Sequence, residues 1–356
     1  MAARDFAATL CAAALALVLL ACAQAARAET PQRIPLVVGL TTIRSVAEAQ
    51  GDYESIRSTS AVSAAGYSFG NRAEVPDGPG GKTREIKIVR RVPMADHLHA
   101  RVMRNRFNEG DPEVFAGTTP GVSADIVIEL RTSGRAVMTF LDVRQVFGLS
   151  TERALKGTVT RIGAAVDFPI IVNGRRALVR ALHAKGRVAD EVGGHELEFH
   201  VLDDPDNPLM LATTGPGFTT RITRIEYPQA AGSPASIESK LAANEAVDVY
   251  GIYFAFGSDL LRPESDRVLQ EVADLLKKHG DWKLQVDGHT DNIGGDGANL
   301  DLSRRRAAAV KAALVQRYSI AAQRLNTGGF GEGRPKDRND TIEGRALNRR
   351  VELKRL

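Results

Sequence analysis

Asp291 in "DGHTDNIGG" and Arg306 in "NLDLSRRRAAAV" are an acid and a base whose spacing would let them act at one site. Residues 299–318 carry a helical pattern. At about 100° per residue, Leu302 and Val310 lie about 40° either side of Arg306, and Ala313 lies closer still. Arg306 is therefore expected near the centre of the apolar stripe of Leu302, Val310, Ala313 and Leu314, with Arg304 and Arg305 off it and solvated. A guanidinium on a packed face is costly unless it is paired and hydrogen-bonded, and its planar fork suits a carboxylate. Asp291, just after a predicted strand end, is the expected local partner. Two arrangements satisfy both residues. One is a structural ion pair that locks the loop to the helix. The other is a clamp for a zwitterion, with the aspartate facing an ammonium and the arginine facing a carboxylate. Gly288, Gly294, Gly295 and Gly297 would let backbone approach such a site closely.

Four strands and two helices are predicted to hold this pair. "VDVYGIYFAF" (247–256) reads as a strand, and "PESDRVLQEVADLLKKHG" (263–280) as an amphipathic helix opened by Pro263 and closed by Gly280. "WKLQVDG" (282–288), "RLNTGGFG" (324–331) and "RRVELKRL" (349–356) read as strands. The order is β-α-β-α-β-β. Parallel strands joined by helical crossovers predict a two-layer sandwich over 247–356.

Residues 29–227 form a separate unit, predicted as β-rich α+β. Strands are expected at 35–40, 84–92, 124–132, 135–143 and 218–227. "DFPIIVNGRRALVRAL" (167–182) reads as a hairpin turning at Asn173-Gly174. "HELEFHVLD" and "PLMLATT" suggest another across "DPDNP". One helix is expected from Asp96 to Phe107, with Asp96 as its cap, and a long mobile loop over 60–82. Residues 228–246 read as a linker with a short helix, capped by Ser233 with Pro234 in its first turn.

Residues 1–28 carry an uncharged apolar run, Ala7 to Ala23, followed by Ala26 and Ala28 around Arg27. That is the pattern of a secretory signal peptide, shorter than a membrane span, with cleavage expected after Ala28. "LLAC" offers an alternative: it resembles a loose lipobox, which would make Cys22 a lipidated first residue and give the protein an outer-membrane lipid anchor. Cys11 and Cys22 are both in this segment, so a chain cleaved after Ala28 has no disulfide or cysteine nucleophile. The segment carries +1 of the formal +4 (Arg4, Asp5, Arg27), leaving about +3, too little to suggest nucleic acid. With 5% aromatic residues, an outer-membrane barrel with aromatic girdles is not expected. A periplasmic body is.

Catalytic and metal motifs are imitated rather than present. "GPGGKT" (78–83) lacks the first glycine of a phosphate loop and leads into a strand, not a helix. His195 and His200 are one residue too far apart for a helical zinc pair, and His97 and His99 do not share a helical face. No serine sits in a nucleophile elbow. Neither an enzyme nor a cofactor is expected.

The C-terminal stretches "FGSDLLRPES", "VDGHTDNIG", "NLDLSRRRAAAV", "RLNTGGFGE" and "RPKDRNDTIEGRALNRRVEL" resemble the OmpA-like peptidoglycan-binding domain of outer-membrane proteins, peptidoglycan-associated lipoproteins and flagellar stators. The resemblance spans 247–356 and does not reach 29–227. It implies non-covalent binding of the diaminopimelate of a wall peptide, with Asp291 taking the ammonium and Arg306 the carboxylate, and so favours the clamp. It also implies support from Asn299, Arg349 and Thr290, and a backbone-lined loop at Gly257 and Ser258. Ala255 stands where many members carry an aspartate, which leaves the finer contacts of that loop open. The function implied is tethering to the cell wall. The alternative is a wall enzyme whose N-terminal unit cuts while the C-terminal unit docks.

Overall fold

The computed structural model describes residues 31–48, 51–76, 83–146, 149–173, 175–228, 237–255 and 257–356. The signal segment with Cys11, Cys22 and Ala28, residues 78–82 of the glycine run, Gly174, the linker residues Ser233 and Pro234, and Phe256 lie outside these residues.

Among the described residues, thirteen strands between Thr41 and Glu226 form one sheet, most of it antiparallel. The strands are β1 Thr41–Glu48, β2 Gly51–Ser63, β3 Gly66–Pro76, β4 Thr83–Pro93, β5 Val102–Met103, β6 Thr118–Thr119 and β7 Arg135–Val146. They continue with β8 Leu149–Arg161, β9 Val166–Val172, β10 Arg175–Ala189, β11 Gly194–Leu202, β12 Met210–Gly215 and β13 Phe218–Glu226. Their order is β4-β3-β2-β1-β13-β12-β11-β10-β8-β7-β5-β6, and β9 pairs with both β10 and β13. The pairing of β1 with β13 places the first strand at the middle of the sheet.

Four expectations for this unit fail. Residues 124–132 form helix α2 (Ala124–Thr132), not a strand. Its buried residues Ile126, Val127 and Leu130 recur at helical spacing and pack on β7, β8 and β10, while Ile128 points out. The helix expected over 96–107 shrinks to α1 (Met94–His99), because Ala100 turns extended and Val102–Met103 joins the sheet. Asp96 is not its cap: it lies within the first turn, and its carboxylate accepts from the Gly117 amide at 3.0 Å. Residues 60–76, expected as a mobile loop, are the end of β2 and the whole of β3, in register with each other and with β4. Residues 35–40 lie outside any strand, with a turn at Val38-Gly39. The 167–182 hairpin is present, with Asn173 at φ 47°.

The second sheet is built from β14 Val247–Val249, β15 Leu284–Gly288, β16 Leu325–Gly329 and β17 Val351–Arg355, in the order β14-β17-β15-β16. A 3₁₀ turn Pro263–Ser265 leads into α4 (Asp266–Lys278), and α5 (Asp296–Gln316) crosses from β15 to the parallel strand β16. Two more helices are α3 (Ile237–Ala242) and α6 (Ile342–Asn348), the second of which was not anticipated. Val268, Leu269, Val272, Leu276, Leu284, Val286, Val310 and Leu314 form one core between helices and sheet.

The strand expected over 247–256 stops at Val249. Beyond it Tyr250 and Tyr253 leave the sheet and pack on the first unit, Tyr250 near Ile171 and Leu347, and Tyr253 near Ile43 and Ile56. The Tyr253 hydroxyl donates to Glu226 at 2.6 Å, and the buried Arg224 donates to the carbonyls of Ala346 at 2.9 Å and Tyr250 at 3.2 Å. The two sheets thus share a packed, hydrogen-bonded junction.

Candidate functional site

Helix α5 holds Arg306, but not where the helical wheel put it. Its buried line runs Ser303, Ala307, Val310 and Leu314, so Arg306 sits on the edge of the buried stripe rather than at its centre. Arg304 and Arg305 are exposed as expected, and Arg305 pairs with Asp301 and Asp259. The Arg306 Nε donates to the Ser258 carbonyl at 3.0 Å, and its guanidinium lies over the Phe254 ring, 5.0 Å from the centroid. No carboxylate lies within ion-pair distance of it among the described residues. Burial, with Arg349 adding repulsion, pulls its pKa down to about 10 despite attraction from Glu54 and Asp291.

Asp291 closes the turn after β15. It is buried, and its Oδ1 accepts from the Ile293 amide at 3.1 Å. Its Oδ2 accepts from Arg349, not Arg306, at 2.6 Å. The structural ion pair between Asp291 and Arg306 is thus not formed, and the two residues line one cavity without touching as a pair. Asn299 is buried behind Asp291 and donates to its carbonyl at 3.2 Å and to Glu332 at 2.7 Å. Asn299 thus orients the loop. Gly288 is where that loop meets helix α5: a Cβ there would stand 2.1 Å from the Ser303 carbonyl.

Gly257 takes φ 60°, in the left-handed region, and itself lines the cavity, with Ser258 next to it in the chain. The Ser258 hydroxyl accepts from the Leu260 amide, leaving its carbonyl for Arg306. The Thr290 hydroxyl is buried without a hydrogen-bond partner among the described residues. His289 beside it is likewise unpaired at both ring nitrogens and stacks on Phe330. Burial, helped by Arg350, depresses its pKa to about 3, so it is neutral at pH 7.

The cavity holds about 750 Å³ and is walled by both units. Sequence reading did not find the second wall. Asp52, Glu54 and Ile56 alternate along β2 on the face toward the C-terminal unit. Glu54 accepts from Arg349 Nη2 at 2.5 Å and lies 3.9 Å from Arg224. Burial would raise its pKa, but Arg349, Arg224 and Arg306 outweigh that and hold it at about 2. Arg349 in turn is raised, because its two carboxylates overcome its own desolvation. Nothing in "GDYESIRSTS" marks Glu54; its partner is 295 residues away.

The OmpA family model matches residues 253–349. The chain is similar to outer membrane porin F of Pseudomonas aeruginosa, 42% identical over 28% of this chain and 29% of that protein. It is also similar to the peptidoglycan-binding protein ArfA of Mycobacterium tuberculosis, 41% identical over 35% of this chain and 37% of that protein. The matched stretch thus spans less than two fifths of either relative. Among solved structures, the peptidoglycan-associated lipoprotein from Burkholderia pseudomallei is 28% identical over 30% of this chain and 88% of that one, with a TM-score of 0.28. Residues 253–349 form an OmpA-family domain.

Proposed function

We propose that this protein binds peptidoglycan non-covalently through its C-terminal domain and tethers itself to the cell wall. The observation that carries the reading is Arg306, a guanidinium facing the cavity with no carboxylate paired to it, beside the Asp291 carboxylate. An unpaired cation and an anion on one wall match the carboxylate and ammonium of a free amino-acid end, as the diaminopimelate of a wall peptide provides. The similarity to a relative named for peptidoglycan binding supports peptidoglycan as the ligand. Asn299, Gly257, Ser258 and Thr290 hold the loops around that pair, and Arg349 holds Asp291 in place. The domain acts as a binding module and needs no cofactor. The protein is periplasmic and wall-associated, and lipidation at Cys22 would add the outer membrane as a second attachment. An anchored chain would gain avidity from many weak sites on one sacculus.

The test is co-sedimentation of the full chain with purified sacculi. Arg306→Ala and Asp291→Ala are each expected to lower bound protein about tenfold or more, the scale of a lost charge-assisted hydrogen bond. Thermal melts confirm that each variant is folded. Wild-type sedimentation by both folded variants would overturn the proposal.

A further inference from the structure

The ammonium half of the pocket does not belong to the OmpA-family domain alone. Arg349 forks between two carboxylates, Nη1 to Asp291 at 2.6 Å and Nη2 to Glu54 at 2.5 Å. One guanidinium therefore sets an acid from each unit side by side on the cavity wall. Asp291 already gives both oxygens to protein donors, whereas Glu54 Oε2 accepts no hydrogen bond among the described residues. The Glu54 side chain is also the more open of the two, 31% exposed against 10%.

The position of Glu54 is well supported. It sits on β2 two residues before Ile56, which packs with Ile43 against Tyr253 of the C-terminal unit. Its charge is retained because Arg224 and Arg306 lie on the same side as Arg349. A cavity of about 750 Å³ remains with both walls in place, within the range that holds a small ligand. Glu54 therefore lines the site without filling it.

We propose that the ligand's ammonium is shared between Asp291 and Glu54, so that the N-terminal unit supplies a specificity-determining residue of the wall-peptide site. This rests on the reading of Arg306 as the carboxylate partner. An ammonium has three donors in a compact group, so it can serve two adjacent carboxylates at once. The arrangement selects ligands that carry a free side-chain ammonium next to a carboxylate. It discriminates against the same peptide with that ammonium removed, because the two acids would then lose the cation that the ligand brings to them.

The test is titration of the full chain with two soluble stem tripeptides. One ends in meso-diaminopimelate; the other is identical except that hydrogen replaces the side-chain ammonium. Wild type should prefer the first. Glu54→Gln should cut that preference about tenfold, the scale of one charged hydrogen bond, while binding of the second peptide changes less than about twofold. An equal loss for both peptides would mean a structural role and overturn the proposal. So would an unchanged preference, or tighter binding of the first peptide, which would make Glu54 an internal competitor. If Glu54→Gln melts early, Glu54→Asp withdraws the carboxylate by one methylene, and the preference must still fall. Arg306→Ala separates the two readings: it should weaken both peptides, and if it does not, the tethering proposal fails instead. A wild type that binds neither peptide overturns both.

Discussion

The two units meet with unlike charges, and the contrast explains the pocket. At the junction the C-terminal unit presents Arg262, Arg267, Arg345 and Arg349, and the N-terminal unit answers with Glu74, Glu226, Asp52 and Glu54. Two contacts run the other way, Arg72 to Glu264 and Arg176 to Asp337. Arg306 borders the same junction and has no such answer. Arg262, Arg345 and Arg349 line the cavity too but are paired with acids, whereas Arg306 is held by a carbonyl and a ring. Pairing makes a guanidinium structural; leaving it unpaired but desolvated makes it available to a ligand.

The sharpest test of that contrast sets Arg349 against Arg306. Arg349→Ala leaves Asp291 without its ion pair and Glu54 with the longer contact to Arg224, and should destabilise the fold by roughly 3 kcal/mol in chemical denaturation. Arg306→Ala removes an unpaired cation and should cost far less, so equal losses would break the comparison. A smaller effect is expected from acid. The Glu54 carboxyl is depressed from 4.5 to about 2, so its contribution is complete above pH 4.5 and lost as pH falls toward 2. His289 is depressed from 6.5 to about 3, so its neutral form stabilises the fold above pH 6.5 and loses that effect toward 3. Melting temperatures from pH 7 to 3 should therefore fall, and less steeply in His289→Phe and Glu54→Gln; parallel curves would count against both assignments.

Smaller again is Tyr253→Phe, which deletes the hydroxyl donated to Glu226 but keeps the ring on Ile43 and Ile56. About 1 kcal/mol is expected by thermal melting. The smallest effect is expected at Arg305, exposed and paired with the exposed Asp301 and Asp259. Arg305→Ala should change stability by less than about 0.5 kcal/mol and leave sacculus binding intact. A large binding loss there would show that the wheel chose the wrong arginine.

Periodicity was a good guide wherever an element buries one clean face. Helix α4 and strands β15 and β17 follow their apolar patterns closely. It failed at Ala124–Thr132, where a β-branched run folds as a helix and buries Ile126, Val127 and Leu130 against residues of β7 and β10. It failed too at 250–255, where the residues are apolar because they face another unit rather than their own sheet. Arg306 was legible as misplaced in an apolar helix, and Asp291 as a residue of the same site. The fork of Arg349 and the contribution of Glu54 were not, because a contact across 295 residues leaves no local trace.

Local pattern was enough for α4, α5, β15 and β17, and for singling out Asp291 and Arg306, which line one cavity. Local pattern and motif spacing carry that information, since both depend on neighbours along the chain. Which arginine pairs with Asp291, which stays open, and the second wall of the pocket all follow from long-range packing. Those outcomes depend on how two sheets dock, and docking is set by shape and charge summed over surfaces that are far apart in the chain.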